Sequence, residues 1–362
     1  MKIFPLILFL SLGFPQESFL SWHINLLEHI SDAPQSSQQR FSDVKLDFPT
    51  PDGELIKFEI FETPVMPEGL SGRYPQIKTY SGRGVVNPNL RVSITLNGSS
   101  AKILILGHEK NIYIDQMENG QYRISHDEFG LSNEIIENQI SGCGCGGAVL
   151  APEITENNTR DFPYCVGDDE PCFEIGNNLV TFRYAGMMTS EANNEAADGT
   201  LEGGLAWIAA MVNQINLVWI RELSFRLEMI EDSDLLIYTD DRPTPINFTD
   251  HDMYEELPRI LSHIEIVIGP GGYATSQNNL MWEYAALFNT GYGGGLAYVP
   301  GSTSANLPSY GIHIHEIGHN LGSSHNCSSE GGWSSSIGGT AMCNRGNTLS
   351  GSSGNQYSSH TI

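Results

Sequence analysis

The segment His315-Glu316-Ile317-Gly318-His319-Asn320-Leu321-Gly322-Ser323-Ser324-His325 restricts the fold of this 362-residue chain more tightly than any other stretch. Residues four apart on an α-helix stand one turn above each other, so His315 and His319 present two imidazole nitrogens on one face. The spacing predicts a helix from about Ser309 to Leu321 whose inward face holds a metal ion. Gly322 stands where that helix ends. Glycine adopts the left-handed conformation without a Cβ penalty, so the chain can reverse there and return His325 as a third ligand. Three histidines leave the fourth position of a tetrahedral zinc open, the arrangement of a catalytic rather than a structural site. Glu316, next to the first ligand, points its carboxylate at that position and is the candidate general base for a water there. In a chain with 11 His and 38 Gly, the pattern arises by chance on the order of once in ten thousand sequences.

The chain is long enough to bury a sizeable core, and 40% hydrophobic with 17% charged residues is not the composition of a disordered polymer. A formal charge of −25, from 18 basic and 43 acidic residues, removes the phosphate-neutralising surface that nucleic-acid binding needs. Nucleic acid and anionic lipid are therefore excluded as expected partners. The acidity is uneven: residues 161–362 carry 6 basic and 24 acidic groups, and no Lys follows Lys110. The second half reads as a separate unit. Glu231-Asp232-Ser233-Asp234 and Asp240-Asp241 read as solvated loops, with Ca2+ binding as the alternative.

Met1-Lys2 followed by the apolar run Ile3 to Phe14 reads as an export signal over residues 1–20, too short to span a bilayer and lacking a clean small-residue cleavage site. An apolar N-terminal strand is the alternative. No further run of about 18 apolar residues occurs, so no transmembrane anchor is expected. Residues 21–142 form a β-rich unit, with strand patterns at Leu55–Phe61, Leu90–Leu96, Lys102–Leu106 and Asn111–Ile114 and turn signals at Asn97-Gly98 and Asn119-Gly120. A Gly-rich and polar linker covers 143–174. An α/β unit fills 175–362, with a strand at Leu179–Tyr184, a helix at Leu205–Leu223 and strands at Ser224–Ile230 and Leu235–Tyr238. A helix near His251–Ser262, a strand at Ile264–Ile268, a helix near Leu280–Phe288 and a strand at Gly295–Val299 precede the final helix.

His315 to His325 resembles the metzincin zinc signature, and Gly318-His319-Asn320-Leu321-Gly322 is most similar to its reprolysin (adamalysin, M12B-like) branch. The resemblance implies an α/β (α+β) catalytic domain with a mixed sheet and an active-site helix, preceded by a β-rich prodomain. Thr340-Ala341-Met342-Cys343 is similar to the family's Met-turn, which implies that Met342 forms an apolar floor beneath the zinc. Gly293 to Val299 resembles the edge strand on which these enzymes lay an extended substrate, with Gly295, Leu296 and Ala297 at its centre. Pro64-Val65-Met66 and Tyr74 to Gly82 look like the propeptide of secreted bacterial members. Asn326 departs from the Asp usual after the third His, and Asn344 departs from the Tyr of astacins. Asn355 to His360 resembles the start of the family's last helix, and the chain stops at Ile362, leaving open a truncated C-terminus.

Six Cys in an exported chain favour disulfides: Cys327 with Cys343 would tie the third His to the Met-turn, and Cys165 with Cys172 would close a small loop. Cys143 and Cys145 lie in the Gly-rich segment ahead of the catalytic unit. The family's use of a prodomain cysteine implies that one of them occupies the open zinc position as thiolate, with pairing elsewhere as the alternative. Arg160 is then a site where a trypsin-like cut releases the block. His313, two residues before His315, falls on the far helix face and reads as structural, and His251, His263 and His360 lack ligand spacing. Together these readings describe a secreted, zinc-dependent endopeptidase precursor acting on proteins or peptides. The competing reading is a catalytically silent adhesion or binding module on the same fold. Loss of a ligand or of the Glu would mark it, and His315, Glu316, His319 and His325 are all present.

Overall fold

In the computed structural model the described residues are 18–20, 26–108, 110–117, 121–126, 179–244, 253–272, 280–290, 294–298 and 300–322. The alternating pattern of the first half builds a meander: β1 (Ser18–Leu20), α1 (Leu26–Ile30), β2 (Lys45–Pro49), β3 (Leu55–Glu62), α2 (Glu68–Arg73), β4 (Ile77–Gly84), β5 (Arg91–Asn97), β6 (Ser100–Leu106), β7 (Ile112–Gln116) and β8 (Tyr122–Ser125). The sheet runs β1-β8-β7-β6-β5-β4-β3-β2, and its neighbours are antiparallel. Gly98 at φ +60 makes the β5–β6 turn, where Asn97 pairs with Ser100, as the Asn-Gly signal requires. β1 lies at the end of the expected export signal and pairs with β8. The Asn119-Gly120 turn lies outside the described residues. Ile103 and Ile105 enter one core with Val92 and Ile94, while Leu104 and Leu106 face the other way into a second core.

The second half builds β9 (Val180–Met188), α3 (Ser190–Ala196), α4 (Leu201–Glu222), β10 (Phe225–Met229), α5 (Met253–Val267), β11 (Tyr284–Phe288), β12 (Gly295–Ala297), β13 (Thr303–Asn306) and α6 (Tyr310–Asn320). Its sheet is mixed, in the order β10-β9-β11-β13-β12, parallel except for β12, which runs antiparallel to β13. Alternate strand residues send Tyr184, Tyr284 and Phe288 to the face packed by α4 and α6, and Ala185, Ala285 and Leu287 to the face packed by α5. α4 starts at Leu201, four residues earlier than its apolar spacing suggests, because the Thr200 hydroxyl accepts from Gly203 N at 2.9 Å. By length and composition α4 could cross a membrane, yet 89% of that window is buried inside the protein. It is apolar all round because it packs against β10 on one side and β4 and β5 on the other.

Three expectations are corrected. Residues 264–268 are not a strand, because Leu257, Ile260 and Ile264 continue one helical stripe on the sheet, and Ile266, which made the run look strand-like, is 80% exposed. Residues 280–288 are not a helix: Tyr284–Phe288 is the central strand between β9 and β13, and all five residues are buried. A strand covered on both faces reads as a continuous apolar run, which periodicity does not separate from a buried helix. Ser233–Leu236 forms a 3-10 turn where a strand over Leu235–Tyr238 was expected, and Ile237 only bridges Met188. The loop from 231 is tied down by Arg73, which bonds Glu231 O and pairs with Asp234.

Candidate active site

α6 is set by its ends. The Ser309 hydroxyl accepts from Ile312 N at 3.4 Å, and Gly322, at φ +95, closes the last turn by donating its N–H to His319 O at 2.8 Å. The left-handed glycine sits where the motif required a reversal. His315 and His319 are 7% and 5% exposed, and their Nε2 atoms stand 3.1 Å apart with the rings nearly perpendicular. Two imidazole nitrogens at about 2.0 Å from a tetrahedral zinc lie about 3.3 Å apart, so this pair fits that ion. His325, the third expected ligand, lies outside the described residues, as do Met342, Cys143, Cys145 and the other four Cys. Among the described residues no three His, Cys, Asp or Glu side chains converge on a metal position.

Glu316 is fully buried, and burial holds its carboxyl well above the usual carboxylate range. It lies directly against β12. A Cβ on Gly295 would come within 2.5 Å of Glu316 Cγ and 2.6 Å of its Oε1, so only glycine lets the strand approach this closely. β12 ends the sheet order, and its three residues are buried. The ladder fixes its orientation: Tyr298 N bonds Thr303 O and Leu307 N bonds Gly294 O. By alternation the N–H and C=O of Ala297 point away from β13.

His313 sits on the opposite face of α6, as its spacing implied. Its Nε2 lies 2.8 Å from the Tyr184 hydroxyl, its ring packs edge-on to Phe288, and burial pushes it down to about 3, so it is neutral. This contact seats α6 on β9 and β11. The acidic stretches do not gather as a calcium site would: Glu231 and Asp234 pair with Arg73 at 3.2 and 3.1 Å, and Asp240 accepts from Asn194 at 2.9 Å.

Sequence reasoning missed the function of Asn320. Its Nδ2 donates to Tyr298 O and Thr303 O, both at 3.0 Å, and its main-chain carbonyl accepts from Gly301 N at 3.0 Å. One side chain thus fastens the β12–β13 turn to the residue beside His319. The available signal was a fully amide-type residue at a buried helix end, where such a side chain needs backbone partners.

A family model described as metallo-peptidase family M12B, reprolysin-like, matches residues 186–358. No curated protein matches the chain. Among solved structures, the crystal structure of metalloproteinase-II from Bacteroides fragilis is similar at 12% identity and a TM-score of 0.47, covering 92% of this chain and 91% of that one.

Proposed function

We propose, since residues 186–358 match the reprolysin-like M12B metallo-peptidase model, that the chain is the precursor of a secreted zinc endopeptidase that cleaves protein or peptide substrates at the α6–β12 junction. The observation that carries this reading is the pairing of His315 and His319, with Nε2 atoms 3.1 Å apart, beside a buried Glu316 pressed against an edge strand. His315 and His319, joined by His325, would hold the zinc. When bound, zinc lowers the pKa of a water and polarises a carbonyl. The chain does the rest. With the cation in place its charge would oppose the effect of burial and favour the ionised carboxylate, and Glu316 would take a proton from the attacking water and return it to the leaving amine nitrogen. Ala297, with its main-chain groups turned outward, aligns the substrate as an added antiparallel strand, and the burial of Glu316 keeps bulk water from competing for its proton.

The segment bearing Cys143 and Cys145 supplies latency in this reading, and a cut near Arg160 relieves it. Replacing both cysteines with Ser should then give activity in the uncut chain, whereas unchanged latency would move the block to other contacts. The base is tested by Glu316→Gln. The variant should keep its zinc and lose at least about a hundredfold in kcat/KM, because an amide cannot accept the water's proton. Turnover comparable to wild type would remove Glu316 from the mechanism.

A further inference from the structure

The two sheets share one apolar core, and the shared part lies at the edge of the peptidase domain opposite Glu316. Val65, Met66, Leu70, Ile77, Leu104 and Leu106 of the N-terminal half pack in a single cluster with α4 and β10. On β5, Ser93 and Thr95 alternate with the inward residues Val92 and Ile94, as a solvent face would, yet they are 1% and 3% exposed. They face α4, where Asn213 sits 2% exposed in the middle of the helix. Asn213 Nδ2 lies 3.0 Å from Tyr80 O, 2.8 Å from Ser93 Oγ and 3.2 Å from Ile94 O, and its Oδ1 accepts from Thr63 Oγ1 at 3.4 Å. Each of these partners belongs to the N-terminal half.

The edge of β10 is closed by the same half. Met229 N donates to Val65 O at 2.8 Å, Arg73 bonds Glu231 O at 2.6 Å and pairs with Asp234, and the Tyr74 hydroxyl donates to Asp234 at 3.0 Å. β10 and β12 are opposite edges of the five-stranded sheet. At about 4.8 Å per strand the docked edge is about 19 Å from the edge beside Glu316. The contact is therefore an apolar interior crossed by the hydrogen bonds of Asn213, and it does not overlap the proposed cleft.

We propose that residues 26–126 are a lasting subunit of the peptidase: once the chain is cut between residues 127 and 178, they stay bound on the outer face of α4. Activation then acts on the connecting segment and leaves this interface whole. The proposal rests on the shared core and is independent of the zinc mechanism.

The test uses the full chain with a recognition sequence for a sequence-specific protease inserted after Arg160, cut after folding and passed over a size-exclusion column at about 1 µM. Both fragments should elute in one 1:1 peak. Elution of the fragments apart, or aggregation of either, overturns the proposal. Two variants assign the surface. Asn213→Asp sets a carboxylate against the Tyr80 and Ile94 carbonyls, and Arg73→Glu reverses a charge facing Glu231 and Asp234. The Arg73 side chain is 42% exposed, so its substitution leaves the core packing untouched. Each should raise the concentration at which the cut complex half-separates by about tenfold or more. Cut complexes of both variants as tight as wild type would overturn α4 as the docking face.

Discussion

Asn320 stands one residue beyond His319, and its two bonds to the β12–β13 turn connect the helix that would hold the metal to the strand that would hold the substrate. Replacing it with Ala leaves two buried carbonyls without that donor, at a cost of about 1–3 kcal/mol. Asn320→Ala should therefore raise KM for extended peptides several-fold while zinc content and kcat change little. A proportional fall in kcat and zinc would mean that Asn320 only supports the helix. His263 carries the acid sensitivity of the other face. It is 6% exposed with its Nε2 2.6 Å from the Tyr238 hydroxyl, and burial lowers its pKa. An unfolded histidine takes its proton near pH 6.5, so the stability linked to His263 is complete above that pH and falls as pH drops towards the lowered folded value. His263→Gln should flatten this part of the stability profile measured by urea unfolding between about pH 7 and 5; an unaltered slope would assign the loss to other groups. At this scale the facing of His315 and His319 and the left-handed Gly322 were legible because both depend on local spacing. Asn320 and Asn213 were not, since their side-chain partners are 17 to 150 residues away.

β12 is short, and its position at the sheet edge is set by the turn beyond it and not by its own three residues. Because Ala297 directs its N–H away from β13, proline there removes an outward donor without breaking the β12–β13 ladder. Ala297→Pro should lower kcat/KM for peptides of several residues and leave zinc binding unchanged; unchanged peptide kinetics in a folded variant would place the substrate elsewhere. The elements whose residue types keep a clear period were readable from the sequence, whether or not both faces are buried. β3, β5, β6 and β7 show the alternation of a sheet, and α6 shows both its cap and its terminal glycine. β11 and the end of α5 were misread for a common reason: burial on both faces erases the period of Tyr284–Phe288, and the exposed Ile266 adds a false one.

Across the whole molecule, the division into a β-rich half and an α/β half was visible in pattern and charge, but their joining was not. Ser93 and Thr95 resembled a wetted face, and only the three-dimensional pairing with Asn213 shows that they are interior. Burying six large apolar side chains across this junction, at about 1.5–3 kcal/mol each, couples the halves strongly. Urea unfolding of the intact chain should accordingly show one transition by tryptophan fluorescence and by far-UV circular dichroism; separated midpoints would mean that the halves unfold independently. The functional account itself is most directly tested by counting zinc in the activated protein while following its cleavage of unfolded casein, before and after a chelator. The account predicts one zinc per chain, cleavage that stops when the zinc is withdrawn, and recovery when zinc is returned. Cleavage that persists in the metal-free protein would contradict it.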